Sequence, residues 1–246
     1  MGTRYDWAGS RIMPYPMIVG RRKLRTETRI PITTDIRDFA LPPNRIQILD
    51  AFGSLKILDP MLPKQTGSFD TRARKCWQFI AGIPSSDNGT KLSREDLTES
   101  IITYQPDSNR LAGSPADFWQ MPAETMARGA GDCEDLAILL ASLTIGTGIS
   151  PYCIRIVLGN YLQTDGTTVH DLRAHAWVVY KTENGPWALI DPTWSHEMYL
   201  ETGWYAADGS DDGITDKTNP LLKHQYTPLY AFNSDHAWEV HPLGSI

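Results

Sequence analysis

The stretch Gly131-Asp132-Cys133-Glu134-Asp135-Leu136-Ala137-Ile138-Leu139-Leu140-Ala141-Ser142-Leu143 is the most apolar part of the chain. Beyond its first turn it is hydrophobic on nearly all sides, which is typical of a helix buried at the centre of a domain. Asp132 is a favourable N-cap residue, and Asp135 stands at the capping-box position three residues later. Gly146 and Gly148 are typical of a helix end. We therefore predict a buried central helix that starts at Cys133.

After this helix the hydrophobic period changes to the period of two that strands show. Over 152–158, Tyr152, Ile154, Ile156 and Leu158 alternate with Cys153, Arg155 and Val157. Largely apolar runs follow at 175–180 and 187–191, on either side of the turn signal Asn184-Gly185-Pro186. A buried helix followed by an antiparallel meander indicates the α+β class. Apolar spacing over 69–81 predicts a further helix, which ends at Gly82 and carries Cys76 in the core. Ser93 is a favourable start for a short helix towards Tyr104.

The flanks of the chain lack this clear pattern. Prolines punctuate residues 1–62, so we expect strands and loops there, among them 28–30 and 45–49. We expect an N-terminal elaboration over 1–68, a core over 69–200 and a C-terminal elaboration over 201–246, packed as one compact domain. The histidines near the C-terminus are interpreted as parts of a polar tail without evident chemistry: His224, His236 and His241.

Charge and cysteine usage exclude several function classes. The 246 residues include 29 acidic and 23 basic ones, a formal charge of −6, which argues against a nucleic-acid binder. The basic run at 21–25 is interpreted as a solvated strand face or hairpin. No apolar run approaches the ~18 residues of a membrane span, and the N-terminus lacks the apolar part of a signal peptide, so we expect a cytoplasmic protein without a membrane partner. Three cysteines make a disulfide framework unexpected.

Cys133 stands in the first turn of the predicted central helix. Free backbone N–H groups and the positive end of the helix dipole stabilise a thiolate there. Asp132 and its acidic neighbours raise the thiol pKa, so a nucleophilic Cys133 requires a histidine partner. His175 opens the second strand and Asp191 closes the third, which supplies a base and a carboxylate to orient it. The alternative is that Cys133, like Cys76 and Cys153, is a small buried residue.

The hairpin register tests this constellation. If Asn184-Gly185 were a two-residue turn, Asp191 would lie opposite Val178, on the other face of the sheet from His175. We therefore expect a three- or five-residue loop, or a bulge that corrects the register. With a loop over 181–185, Asp191 would lie directly opposite His175.

Residues 104–194 resemble the transglutaminase-like, papain-related cysteine peptidase superfamily of bacterial and archaeal type. The motifs that carry the resemblance are Phe118-Trp119-Gln120-Met121-Pro122-Ala123-Glu124-Thr125, Gly131-Asp132-Cys133-Glu134-Asp135-Leu136-Ala137, His175-Ala176-Trp177 and Asp191-Pro192-Thr193-Trp194. The resemblance implies a papain-like core in which a central helix packs on an antiparallel sheet. It also implies Cys133 as nucleophile, His175 as general base and acid, and Asp191 as the group that holds the imidazole.

The resemblance leaves the second oxyanion donor open. The first donor would be the backbone N–H of Cys133; Gln120 is the first choice for the second, with Trp119 and Tyr104 as rivals. An ordinary loop or capping role is the alternative for Gln120. Trp177 and Trp194 flank the triad and are candidates for the walls of the cleft or for the core.

The function that follows is thiol-dependent acyl transfer at an amide carbonyl, as a cysteine peptidase or amidase acting on a protein or peptide. Transglutaminase activity, with an amine as acceptor, and a non-catalytic binding module on the same fold are the alternatives. No cofactor is expected. Asp208 and Asp212 match part of a calcium loop, but Asn219 stands where a glutamate is expected, which favours a solvated acidic loop. His170, Asp171 and His175 lack the spacing of a zinc site.

Overall fold

The computed structural model describes residues 11–12, 18–23, 31–35, 67–81, 102–107, 119–183, 185, 187–193, 205–206, 214–215 and 223–241. Within these ranges the helices are α1 (Phe69–Ala81), α2 (Pro122–Arg128) and α3 (Cys133–Gly146). The strands are β1 (Arg11–Ile12), β2 (Ile18–Lys23), β3 (Pro31–Asp35), β4 (Thr103–Tyr104), β5 (Ala130–Gly131), β6 (Ile154–Thr164), β7 (Val169–Lys181), β8 (Trp187–Ile190), β9 (Tyr205–Ala206), β10 (Ile214–Thr215), β11 (Lys223–Phe232) and β12 (Ala237–Glu239).

An antiparallel sheet with α3 packed against it forms the centre of the fold. Its strand order is β1-β12-β11-β6-β7-β8-β9, and β10 pairs with β11. The prediction of an α+β fold with a central buried helix on an antiparallel sheet is confirmed. Two short pairs lie outside this sheet: the antiparallel hairpin β2–β3 and the parallel pair β4–β5, which leads directly into α3.

Helix α3 is buried along most of its length because hardly any of its side chains beyond the first turn is charged. All of its residues from Glu134 to Thr144 are buried. The helix begins at Cys133 after an extended Asp132 and ends at Gly146, as the sequence predicts. Helix α1 also forms where its apolar spacing predicts it, and Cys76 lies in the core with 2% of its surface exposed. Burial raises the pKa of the Cys76 thiol to about 12.

Strands β6 and β7 form a longer hairpin than the alternation pattern predicts. They pair in one register from Ile154 with Tyr180 to Gln163 with Asp171, and after a register shift Thr164 pairs with Val169. Strands β7 and β8 pair from Val178 with Ile190 to Lys181 with Trp187, so five residues separate the paired ends. The predicted odd loop length is confirmed. The loop lies one residue later than expected, which places Asp191 diagonal to His175, instead of directly opposite it.

The C-terminal part of the chain is a central component of the sheet. Strand β11 pairs with β6 from Lys223–Thr164 to Phe232–Ile156. The interpretation of this region as a polar tail is wrong for His224, which is 1% exposed and hydrogen-bonds through Nδ1 to the hydroxyl of Tyr161. A non-local pairing partner buries this histidine, and the local sequence does not encode that partner.

The other predictions have mixed outcomes. Residues 21–23 belong to the β2–β3 hairpin, as predicted for the basic run. The helix expected from Ser93 fails at its C-terminal end, where Thr103 and Tyr104 form β4. The rest of that helix, and the strands expected at 28–30 and 45–49, lie outside the described residues. Across the part of the chain that the structure describes, every helix is too short or too polar to span a membrane.

Gly159 permits the close approach of three strands beside His175, its partner in the β6–β7 register. A Cβ at this position would lie 2.1 Å from the carbonyl oxygen of Thr227 and 2.7 Å from the indole of Trp177. We expect Gly159→Ala to lower the free energy of unfolding by about 1–3 kcal/mol, because the strands must separate. Chemical denaturation checks this, with the exposed neighbour Asn160→Ala as control. Equal stability of the two variants would contradict the tight packing.

Candidate active site

The start of α3 places Cys133 beside β7, an interior strand of the sheet. Its thiol is partly exposed. It donates a hydrogen bond to Oε2 of Glu134 at 3.3 Å and accepts one from the backbone N–H of Ala176. Because Ala176 directly follows His175 on β7, the sulfur lies beside the strand that carries the histidine.

His175 and Asp191 form a buried pair. Nε2 of His175 lies 2.7 Å from Oδ2 of Asp191, and the two residues are 4% and 0% exposed. Nδ1 of His175 is also buried and has no hydrogen-bond partner among the described residues. With a proton on Nε2 for the carboxylate, Nδ1 is the basic nitrogen of the ring. The pair therefore provides an oriented imidazole whose free nitrogen can take up a proton.

Four donors surround the carboxylate of Asp191. Oδ1 accepts hydrogen bonds from the backbone N–H and the hydroxyl of Thr193, at 2.9 and 2.7 Å. Oδ2 accepts from His175 and from the hydroxyl of Tyr226 at 2.8 Å. Burial alone would raise the pKa of Asp191, but His175 and Thr193 outweigh it and hold the pKa below its usual value. Asp191 is therefore an anion at neutral pH.

The surroundings of Cys133 favour the neutral thiol. Burial and the nearby carboxylates of Glu134 and Asp132 raise its pKa, although the N–H of Ala176 opposes them. Formation of a thiolate therefore requires a group that accepts the proton, which agrees with the requirement for a histidine that the acidic neighbours imply.

Gln120 holds the start of α3 in place. Its backbone N–H donates to Oδ1 of Asp135 at 2.6 Å, and its side-chain amide donates to Oδ2 of Asp135 and to the carbonyl of Ala130. Both amide hydrogens are therefore engaged in this arrangement, which corresponds to the capping role. An oxyanion role for Gln120 remains a prediction.

The aromatic candidates lie in different surroundings. Tyr104 is 39% exposed, and burial together with the charge of Cys133 raises its pKa to about 12, so its hydroxyl stays protonated at neutral pH. Trp119 stacks on Phe232, with ring centroids 6.0 Å apart. Trp177 is 1% exposed and its ring stacks on that of His175 with centroids 6.1 Å apart, so it is a core residue that packs against the imidazole. Trp194 lies outside the described residues.

Buried carboxylates lie around the start of α3, and one of them, Glu134, contacts the thiol. Four residues each offer one oxygen atom within 4.8 Å of the others: Asp107, Asp132, Glu134 and Asp135. We call them the acidic cluster. Burial and the charges of Asp132 and Asp135 raise the pKa of Glu134 to about 10. Oδ1 of Asp132 and Oε1 of Glu134 are buried without a hydrogen-bond partner among the described residues. Such a donor set suits a hard divalent cation such as Ca²⁺.

The other candidate calcium ligands, Asp208 and Asp212, lie outside the described residues.

Sequence reasoning missed two components of this site. Tyr226 follows Asp191 by 35 residues and reaches it only because β11 lies beside β6. Asp107 is the other component, a member of the acidic cluster whose backbone N–H donates a hydrogen bond to Oδ2 of Asp132 at 3.3 Å. The concentration of acidic residues around Cys133 is a local signal for the cluster, although in the sequence these residues indicate helix capping and an effect on the thiol pKa.

A comparison with known families agrees with this geometry. Residues 90–192 match the family model of the transglutaminase-like superfamily. This segment is therefore similar to transglutaminase-like domains. It contains Cys133, His175 and Asp191, as well as the acidic cluster. No curated protein matches the sequence significantly.

Three solved structures show the similarity of the chain to known proteins. Calcium-bound LapG of Legionella pneumophila has 18% identity, covers 79% of this chain and 87% of its own, and has a TM-score of 0.48. EGTA-treated LapG has 20% identity, covers 83% of each chain, and has a TM-score of 0.43. A candidate cysteine protease of Cytophaga hutchinsonii has 16% identity, covers 76% of this chain and 57% of its own, and has a TM-score of 0.28.

Proposed function

We propose that the transglutaminase-like domain catalyses thiol-dependent acyl transfer at an amide carbonyl, and that water is the acceptor. The buried pair of His175 and Asp191, with Nδ1 of the imidazole free, carries this proposal. The position of Cys133 beside Ala176 supports it, because the nucleophile then lies next to the residue that follows the base on β7. The substrate class is a protein or peptide.

The reaction proceeds in two steps. Nδ1 of His175 accepts the thiol proton, and Sγ of Cys133 forms a bond to the carbonyl carbon. The imidazolium then gives its proton to the leaving amine nitrogen, the C–N bond breaks and a thioester remains. In the second step His175 takes a proton from water, whose oxygen attacks the thioester carbonyl. The C–S bond breaks, the acid is released, and the imidazolium returns the proton to the sulfur. Asp191 stabilises the imidazolium in both steps.

The start of α3 stabilises the charge that develops on the carbonyl oxygen. The backbone N–H of Cys133 has no intrahelical acceptor, since it belongs to the first turn, and the helix dipole is positive there. Two donors are typical of an oxyanion hole. Tyr104 is our candidate for the second one, because its hydroxyl keeps its proton and can donate, while both amide hydrogens of Gln120 are engaged by Asp135 and Ala130.

Hydrolysis and transamidation differ only in the acceptor. We propose hydrolysis, because water requires no separate binding site. The reagent p-nitrophenyl acetate tests this, since a thiol can take its acetyl group without a specific acyl subsite. Incubation with and without a primary amine such as cadaverine should give acetate as the main product in both cases. Predominant acetylation of cadaverine would show a transglutaminase instead.

The acidic cluster is proposed to hold a divalent cation, most suitably Ca²⁺. Asp107, Asp132, Glu134 and Asp135 would supply oxygen ligands. A bound cation would compensate for the repulsion among the carboxylates beside Cys133, so its contribution is electrostatic support of the start of α3. The unpartnered oxygens of Asp132 and Glu134 are the observation in favour of this proposal.

Glu134→Gln tests the cation proposal. We expect it to weaken Ca²⁺ binding, measured by isothermal titration calorimetry, at least ~tenfold, because it removes a charged ligand. In the presence of a chelator, the free energy of unfolding of the wild type should fall as the pH rises above the usual pKa of a glutamate. The reason is that the folded protein retains a proton on Glu134 up to about pH 10, while the unfolded chain releases it. The variant should lack this loss.

Asp171→Asn is the matched control, since Asp171 is a carboxylate on β7 that pairs with Arg173 at 3.2 Å, outside the cluster. It should bind Ca²⁺ like the wild type. Equal Ca²⁺ affinity of Glu134→Gln and the wild type, or no binding at all to the wild type, would disprove the cation site.

A further inference from the structure

Tyr226 shares one oxygen of Asp191 with the imidazole of His175. The hydroxyl of Tyr226 lies 2.8 Å from Oδ2 of Asp191, and Nε2 of His175 lies 2.7 Å from the same atom. Two donors thus form hydrogen bonds to one negatively charged oxygen. The strength of the bond between His175 and Asp191 then depends on the tyrosine.

Packing fixes the direction of the Tyr226 hydroxyl. The ring meets the indole of Trp177 edge to face, with centroids 5.1 Å apart and planes at 67°. It meets the ring of Tyr161 in the same way at 5.5 Å and 72°. Because both neighbours are almost fully buried, the phenol has little freedom to turn away from Asp191.

The orientation of the carboxylate does not depend on Tyr226. Both donors of Thr193 hold Oδ1 of Asp191 at 2.9 and 2.7 Å, and they belong to the same turn as the carboxylate. Without the tyrosine hydroxyl, Oδ2 would still point at His175 but would carry more charge. Loss of the Tyr226 hydroxyl is therefore expected to change the charge on Oδ2 of Asp191 and not the orientation of the carboxylate.

We propose that Tyr226 is a positioning residue of the active site that acts through Asp191 and limits the strength with which the carboxylate holds the imidazole. The inference rests on the proposed function, in which His175 must both take up and release a proton. A carboxylate that bound the imidazolium too strongly would slow the second of these transfers. The C-terminal strand β11 thereby contributes a functional side chain to a domain whose nucleophile, base and carboxylate lie before residue 192.

Proton NMR of protein with ¹⁵N-labelled histidine tests this inference. The Nε2–H proton of His175, assigned by its loss in a His175→Gln variant, should resonate downfield of the backbone amides. In Tyr226→Phe it should move further downfield, because Oδ2 then has a single strong donor. Site-specific 3-fluorotyrosine at position 226, a stronger donor than tyrosine, should move it upfield. Tyr230→Phe, the same substitution on the exposed part of β11, should leave it unchanged.

Opposite shifts in the two Tyr226 variants would support the inference, and the fluorotyrosine protein alone gives a result if Tyr226→Phe does not fold. Absence of a shift in either variant, shifts in the same direction, or absence of the downfield resonance from the wild type would overturn it. Acetylation of Cys133 by p-nitrophenyl acetate in the wild type tests the proposed function separately. A failed inference about Tyr226 is thus distinguishable from a failed assignment of the enzyme.

Discussion

Cys133→Ala is expected to abolish the turnover of p-nitrophenyl acetate, with a rate loss of at least ~10³-fold. The variant removes the sulfur that forms the thioester and leaves no other nucleophile at the start of α3. Alanine fits the space of the thiol, and Cys133 is only partly buried, so the fold should persist. The melting temperature and the release of p-nitrophenol are measured on the same preparation.

Cys153→Ala is the matched control for this prediction. Cys153 is also a partly buried free cysteine, in the single turn of 3-10 helix formed by Pro151–Cys153, away from His175 in the β6–β7 register. Its removal should leave turnover within about twofold of the wild type, since surface substitutions of this kind have small effects. If Cys133→Ala retained the wild-type rate, the protein would be better described as a binding module on the same fold.

The second large effect is expected for His175→Gln. We expect a loss of about 10²–10⁴-fold in turnover, because the thiol loses the group that accepts its proton while burial and Glu134 keep its pKa raised. Glutamine can still donate to Oδ2 of Asp191, which avoids an unpaired buried carboxylate. His170→Gln, an exposed histidine on the same strand, should have no effect on turnover.

The loss in His175→Gln should be smaller at alkaline pH. Hydroxide can then remove the thiol proton in place of the imidazole, so the rates of variant and wild type should converge as pH rises. A variant whose rate is reduced by the same factor at every pH would indicate that His175 supports the fold and does not act as the base.

The sequence was sufficient to predict those parts of the fold that depend on neighbouring residues. The start of α3 at Cys133 follows from Asp132 and Asp135, and its burial follows from the apolar residues after them. The odd number of residues in the β7–β8 loop could be predicted, because the expected triad requires His175 and Asp191 to lie on the same face of the sheet. The exact register could not, since it depends on how five loop residues turn.

The parts that could not be predicted depend on contacts between distant segments. His224 is buried and Tyr226 is partly buried because β11 pairs with β6, and neither strand carries a local signal for the other. Asp107 reaches Asp132 because the short parallel pair β4–β5 brings residues 103–104 beside 130–131. The role of Gln120 is equally hard to predict from the sequence, because its side-chain amide donates to Asp135, which only the tertiary structure brings beside it.

The reactivity of the three cysteines towards iodoacetamide is the most direct test of the account, because all of them are compared in one molecule. Peptide mapping of the alkylated protein near neutral pH gives a rate for each thiol. We predict that Cys133 reacts at least ~tenfold faster than Cys153, that Cys76 stays unmodified because only 2% of its surface is exposed, and that His175→Gln removes the advantage of Cys133. Slow and equal labelling of Cys133 and Cys153, unaffected by His175→Gln, would contradict the assignment of Cys133 and His175 as a nucleophile and its base.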